Sequence, residues 1–168
     1  MKQLICTILI FVTVAACTNK ATGNRFSANA LGTTDETQTQ IVIYRPNTFV
    51  GSANWDVPLL HLDGKTLTPM RINGYVVLPV DPGEHHLKTT EVLFGSDTGR
   101  IRGEIRLGLK QGTKVYLQYA ESITSVVPIP SYQSVALVVS GAYSFQPVPP
   151  DVALKELAGT NRLAVSSN

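Results

Sequence analysis

Between Ile101 and Tyr119 the apolar residues recur at every second position, the period of a strand with one face on a core and the other in water. Ile101, Gly103, Ile105, Leu107 and Leu109 alternate with Arg102, Glu104, Arg106, Gly108 and Lys110. After Gln111-Gly112, Val115, Leu117 and Tyr119 alternate with Lys114, Tyr116 and Gln118. The two runs read as an antiparallel hairpin.

Short β-prone runs broken by turn chemistry fill the rest of the chain. Ile41 to Tyr44 stops at Arg45-Pro46, where proline forfeits a ladder donor. Leu59 to Leu62 and Thr66-Leu67 flank Asp63-Gly64, a dipeptide suited to the positive φ angles of a tight hairpin turn. Gly74 to Val80 ends at Asp81-Pro82-Gly83, and a further strand starts at His85. Val135 to Val139 is apolar on both faces and reads as a central strand or one beneath a helix. Pro149-Pro150 lead to Asp151, which reads as the cap of a helix over Val152 to Ala158 closed by Gly159. No other helical run stands out. The fold expected is all-β, an antiparallel β-sandwich of about seven strands with one short C-terminal helix.

The amino terminus has a different character. Lys2 precedes an uncharged run from Leu4 to Val14, followed by Val14-Ala15-Ala16-Cys17. A run this short falls below the roughly twenty residues of a membrane-spanning helix and reads as a cleaved signal. The tetrapeptide resembles a bacterial lipobox, which implies that Cys17 becomes the lipid-modified amino terminus. The resemblance also implies the periplasmic face of the outer membrane, because Thr18 stands where lipoproteins retained in the inner membrane often carry Asp. Several acyl chains suffice for stable anchoring. The organisation expected is a signal at 1–16, a lipidated cysteine and flexible tether at 17–38, a sandwich at 39–159 and a disordered tail at 160–168.

Removing residues 1–16 takes away Lys2 and lowers the formal charge from +2 to +1. A nearly neutral domain lacks the concentrated basic face that nucleic acid requires, so no nucleic-acid partner is expected. Cys6 leaves with the signal and Cys17 is consumed by lipid. No thiol then remains for a disulfide, a thiolate metal site or a nucleophile, and no cofactor is expected.

His61, His85 and His86 are the three histidines. Adjacent residues on a strand point to opposite faces, so His85 and His86 reach one ion only across a bulge, and no metal site is expected. Glu84, Glu104, Asp63, Asp81 and Asp97 are possible acid–base groups, but Asp63 and Asp81 suit their turns, and Glu104 suits pairing across a sheet. No nucleophile elbow, paired-histidine zinc motif or phosphate-cradling loop is present. Trp55, flanked by Asn54 and Asp56, either stacks on a sugar ring or plugs the core. Arg102, Arg106, Lys110 and Lys114 form a basic stripe, read as a solvated hairpin face in preference to a contact for an acidic partner. Val126, Val127, Pro128, Ile129 and Pro130 place apolar residues between prolines, in a loop that either packs over the sandwich edge or offers a partner contact.

Tyr44-Arg45-Pro46, Gly51-Ser52, Leu62-Asp63-Gly64-Lys65, Asn73-Gly74-Tyr75 and Val80-Asp81-Pro82-Gly83-Glu84-His85 together resemble an uncharacterised family of bacterial lipoprotein domains. That family is similar to the small β-sandwich domains named for their Pro-Glu-Gly-Ala motif. The resemblance spans roughly Ile41 to Leu157 and implies a fold rather than a chemistry. The stretch from Ser122 to Gln133 does not match it. The function expected is a non-enzymatic, lipid-anchored envelope module that binds a protein partner or serves a structural role. The alternatives are a glycan-binding module using Trp55 and a periplasmic hydrolase using His61 or His85.

Overall fold

Thr39–Arg45 forms β1, and all seven of its residues are buried. Four of them, Ile41 to Tyr44, are the run that the sequence marked as β-prone, and burial on both faces explains why that run shows no alternation. The remaining elements are β2 (Leu59–Leu62), β3 (Lys65–Pro69), β4 (Gly74–Val80), β5 (Gly83–Leu93), β6 (Ser96–Leu109), β7 (Lys114–Glu121), β8 (Leu137–Val139), β9 (Tyr143–Pro147), α1 (Pro150–Leu157) and β10 (Asn161–Arg162). A computed structural model describes residues 20–32, 37–47, 57–121, 137–139 and 143–166.

The strands form two sheets, ordered β10-β4-β1-β7-β9 and β3-β2-β5-β6-β8. Ile41, Ile43, Val76, Leu78, Leu117 and Phe145 from the first meet Leu60, Leu87, Ile105, Leu107 and Leu109 from the second. This is the expected all-β sandwich with a short helix near the carboxyl end. On the outer face of the first sheet, Val42, Tyr44, Tyr75 and Tyr116 pack with Ala153 and Leu157 of α1 and with Leu31. Tyr44 donates its hydroxyl to Glu156 Oε2 at 2.6 Å, and Gln118 Nε2 donates to the same oxygen at 2.9 Å, tying the helix to β1 and β7.

Several sequence expectations need correction. The runs at 101–110 and 114–119 do not form a hairpin. β6 lies in the second sheet and β7 in the first, where β7 runs parallel to β1 with Ile43 opposite Leu117. Alternation shows which residues face a core, and facing strands of two sheets satisfy it as well as paired strands of one. β10 is also parallel to its neighbour β4, so the first sheet is mixed rather than purely antiparallel. Leu137–Val139 is the last strand of its sheet among the described residues, not a central one. The Asp63-Gly64 hairpin forms as expected, with φ of 50° and 83°.

The stretch expected to be a tether is docked where it is described. Ala21 N–H donates to the Ile72 carbonyl at 2.9 Å, and Phe26 N–H to Thr160 at 2.9 Å. Phe26 meets Tyr75 edge-on at 5.2 Å, and a 3-10 turn at Ala28–Leu31 buries Leu31. Widely spaced anchors in a polar segment leave no periodic signal. The carboxyl-terminal residues are likewise ordered onto the fold: Leu163 is in the core, and Ser166 N–H donates to Leu67 at 2.9 Å. The helix starts one residue before Asp151, with Pro149 as its cap residue and Pro150 at the first helical position, where the missing N–H costs nothing.

Candidate functional site

One end of the sandwich gathers the polar side chains that the core cannot absorb. β1 ends there at Arg45, opposite Gly74 at the start of β4. In the other sheet Pro69, Leu59 and Thr90 lie level across β3, β2 and β5. Beyond that level β5 and β6 continue as a two-stranded ribbon to Leu93 and Ser96.

Arg45 is buried, donating from Nη1 to the Met70 carbonyl at 2.8 Å. That bond fastens the crossover from β3 to β4 against β1. Its guanidinium lies 5.9 Å from the Tyr119 ring centre and 5.6 Å from that of Tyr143, two rings stacked at 5.5 Å. The geometry is that of a cation held over aromatic faces. Thr89 Oγ1 lies 3.0 Å from the Tyr119 hydroxyl. On the next inward position of β5, the Glu91 side chain is 10 % exposed; it accepts from Arg102 Nη2, and Arg100 Nη1 lies 4.0 Å away. Thr98 donates to the Glu91 carbonyl at 3.2 Å. Arg102 therefore belongs to a largely buried ion pair and not to a solvated basic stripe, and Lys114 lies on the opposite sheet.

His61 is buried on the other face of the second sheet. Its Nε2 lies 2.7 Å from Thr90 Oγ1, its Nδ1 3.1 Å from Thr66 Oγ1, and Asp97 Oδ2 is 3.5 Å from Nε2. Burial lowers the imidazole pKa below its ordinary value; Asp97 opposes that shift and Lys88 adds to it. Asp97 is held below the usual carboxylate range by the Gly99 N–H first and the Thr90 hydroxyl second, with His61 and Lys88 adding to them against a small opposing effect of burial. A nucleophile–base relay needs the carboxylate on the ring nitrogen opposite the hydroxyl. Thr90 does not meet that requirement, because it shares Nε2 with Asp97, whereas the Thr66 hydroxyl lies on the opposite nitrogen, Nδ1.

His85 belongs to another cluster. Its Nδ1 lies 2.8 Å from Asp63 Oδ2 and its Nε2 2.7 Å from the Asp81 carbonyl, while His86 N–H donates to Asp63 Oδ1 at 2.7 Å. Burial pushes the His85 pKa down, but the Asp63 carboxylate and Asp81 carbonyl outweigh it and raise it above its ordinary value. Burial likewise pushes Asp63 up, and the donors from His86 and His85 outweigh that and lower it. His86 Nε2 pairs across the strands with Glu104 Oε2 at 3.1 Å, the cross-sheet pairing expected of Glu104. His61 and His85 thus engage different carboxylates and do not converge.

These shifts fix a pH dependence. His85, raised when folded, stabilises fully below pH 6.5 and loses that contribution as pH climbs through its folded value. Asp63, lowered when folded, stabilises above pH 3.8 and loses that contribution only as pH falls through its folded value. Asp63→Asn is therefore expected to lower the urea midpoint more at about pH 5 than at about pH 9. An equal or larger loss at the higher pH would contradict the pairing.

Among the described residues, no group of three or more His, Cys, Asp or Glu side chains is placed to hold a metal ion. Cys17, Trp55 and the Val126, Val127, Pro128, Ile129 and Pro130 loop lie outside the described residues. Sequence reasoning passed over Arg45, Glu91 and the β5–β6 ribbon. Arg45 closes a β-prone run, which marks a strand end but not a buried one. Comparison of the chain with protein-family models, with curated proteins and with solved structures finds no match.

Proposed function

We propose that this chain is a lipid-anchored cell-envelope module, held by Cys17 on the periplasmic face of the outer membrane, that acts without catalysis by binding an envelope protein. The observation that carries this reading is the Leu4 to Cys17 segment, an uncharged run too short to span followed by a lipobox-like tetrapeptide. The non-catalytic part is supported by His85, whose two ring nitrogens are bound to a turn carboxylate and a backbone carbonyl.

β7 ends at Glu121 on the same side as the buried charges, so the chain enters residues 122–136 from that end. The apolar Val126 to Pro130 loop is the proposed partner contact. Crosslinking in native membranes, followed by recovery of the intact chain, is expected to bring down a specific protein. Replacing Val126, Val127 and Ile129 together by Ser is expected to abolish that recovery in a chain that folds and localises as the parent does. Recovery of no protein with either chain would contradict the reading.

A further inference from the structure

The β5–β6 ribbon ends in the pair Phe94-Gly95, with φ of 50° and 82°, as a type I′ turn requires. Gly95 suits that geometry; Phe94 does not, because a bulky L side chain pays a steric cost in the left-handed region. Phe94 is also fully exposed, at 106 % of its reference area, and Leu93 next to it is 50 % exposed. Within the described fold no contact offsets either cost. Arg100, with its side chain 71 % exposed, lies behind this apolar tip, 4.0 Å from the Glu91 carboxylate.

The position of the tip supplies its partner. Lys20 pairs with Ile72, in the crossover between Pro69 of β3 and Gly74 of β4, which Arg45 fastens to the same end of the sandwich. Only Thr18 and Asn19 separate Cys17 from Lys20, three residue steps with a reach of at most about 10 Å. From the level of Thr90, the four residues to Phe94 carry the tip outward by about 13 Å. Pro69 lies two strand spacings, about 10 Å, from Thr90. That reach is long enough for an acylated Cys17 and the ribbon tip to meet one bilayer surface.

We infer that the Phe94 tip of the β5–β6 ribbon is a second membrane contact, inserting Phe94 and Leu93 into the interface of the bilayer that holds Cys17, with Arg100 at headgroup level. The inference rests on the lipid-anchoring reading. An aliphatic and aromatic tip with an exposed guanidinium set behind it matches the chemistry of a bilayer interface, where apolar groups bury and long cations extend to the headgroups. The contact fixes the orientation of the sandwich, turning its buried charge cluster toward the membrane and the β6–β7 turn at Lys110 away from it.

The test uses the mature chain purified from membranes and reconstituted into vesicles of phosphatidylethanolamine and phosphatidylglycerol at 3:1. In a Trp55→Phe background, Phe94→Trp and Lys110→Trp place reporters at opposite ends. Brominated acyl chains are expected to cut the emission of the Phe94→Trp chain by at least about two-fold and to leave the Lys110→Trp chain unaffected. A chain that floats with the vesicles but shows no selective quenching at position 94 overturns the second contact and leaves the anchor intact. A chain that does not float overturns the anchoring reading and the inference with it. Separately, Phe94→Asn creates the preferred Asn-Gly turn and is expected to raise the urea midpoint in detergent. A lowered midpoint would show that Phe94 serves the fold, which also overturns the inference.

Discussion

Replacing Glu91 with Ala is expected to destabilise the fold by about 3 kcal/mol, the lower end of what removal of one partner from a buried ion pair costs. The carboxylate is 10 % exposed and faces Arg102, whose side chain is 24 % exposed, with Arg100 at 4.0 Å. The substitution removes the carboxylate that faces a largely buried guanidinium. The loss should exceed anything expected from the exposed pairs of this chain, which contribute between zero and about 1 kcal/mol. Replacing Glu91 and Arg102 together by Leu removes both charges and should recover much of the loss, since a packed apolar pair rivals a buried ionic one. Urea unfolding of the parent, the single and the double variant checks this. A Glu91→Ala loss below about 1 kcal/mol would mean that water reaches the pair.

Phe145→Ala is expected to cost about 3–5 kcal/mol, through lost transfer energy and the cavity left behind. Phe145 on β9 is completely buried, and its ring lies 5.1 Å from that of Tyr119. Little room exists for collapse around it, because the two sheets already approach closely beside it. A Cβ added at Gly103 of β6 would come within 2.7 Å of the Tyr143 carbonyl of β9. Phe145→Leu keeps most of the volume and should cost less than half as much as Phe145→Ala. Equal losses for the two variants would place the energy in aromatic contact rather than in filled space.

The turns were the legible part of this fold. Asp63-Gly64 announces its hairpin because the dipeptide tolerates the required φ angles, and Asp81-Pro82-Gly83 marks where β4 gives way to β5. Alternation found the inward residues Ile105, Leu107, Leu109, Leu117 and Tyr119, yet assigned them to one hairpin when they face one another from two sheets. Side-chain period carries no information on whether the next strand pairs or crosses over. The ribbon tip was missed because Phe94-Gly95 is a poor sequence signal for a type I′ turn, and Phe94 occupies it at a conformational cost.

The candidate site was less legible for a different reason. Arg45 and Glu91 gain their significance from burial, and charged residues are almost never fully buried unless paired. Nothing in the local sequence of either residue distinguishes it from a solvated one. The histidines were easier to judge: adjacency already argued against His85 and His86 sharing a ligand, and the structure gives them separate partners in Asp63 and Glu104.

The central proposal is that Cys17 anchors the chain, and the most direct measurement is the intact mass of the mature protein extracted from native membranes, with fragmentation of its amino-terminal peptide. The expected result is a chain beginning at Cys17 that carries a diacylglyceryl group on its sulfur. A mature chain that retains residues 1–16, or one that begins elsewhere without lipid, would contradict the anchor and with it the membrane-facing orientation of the sandwich.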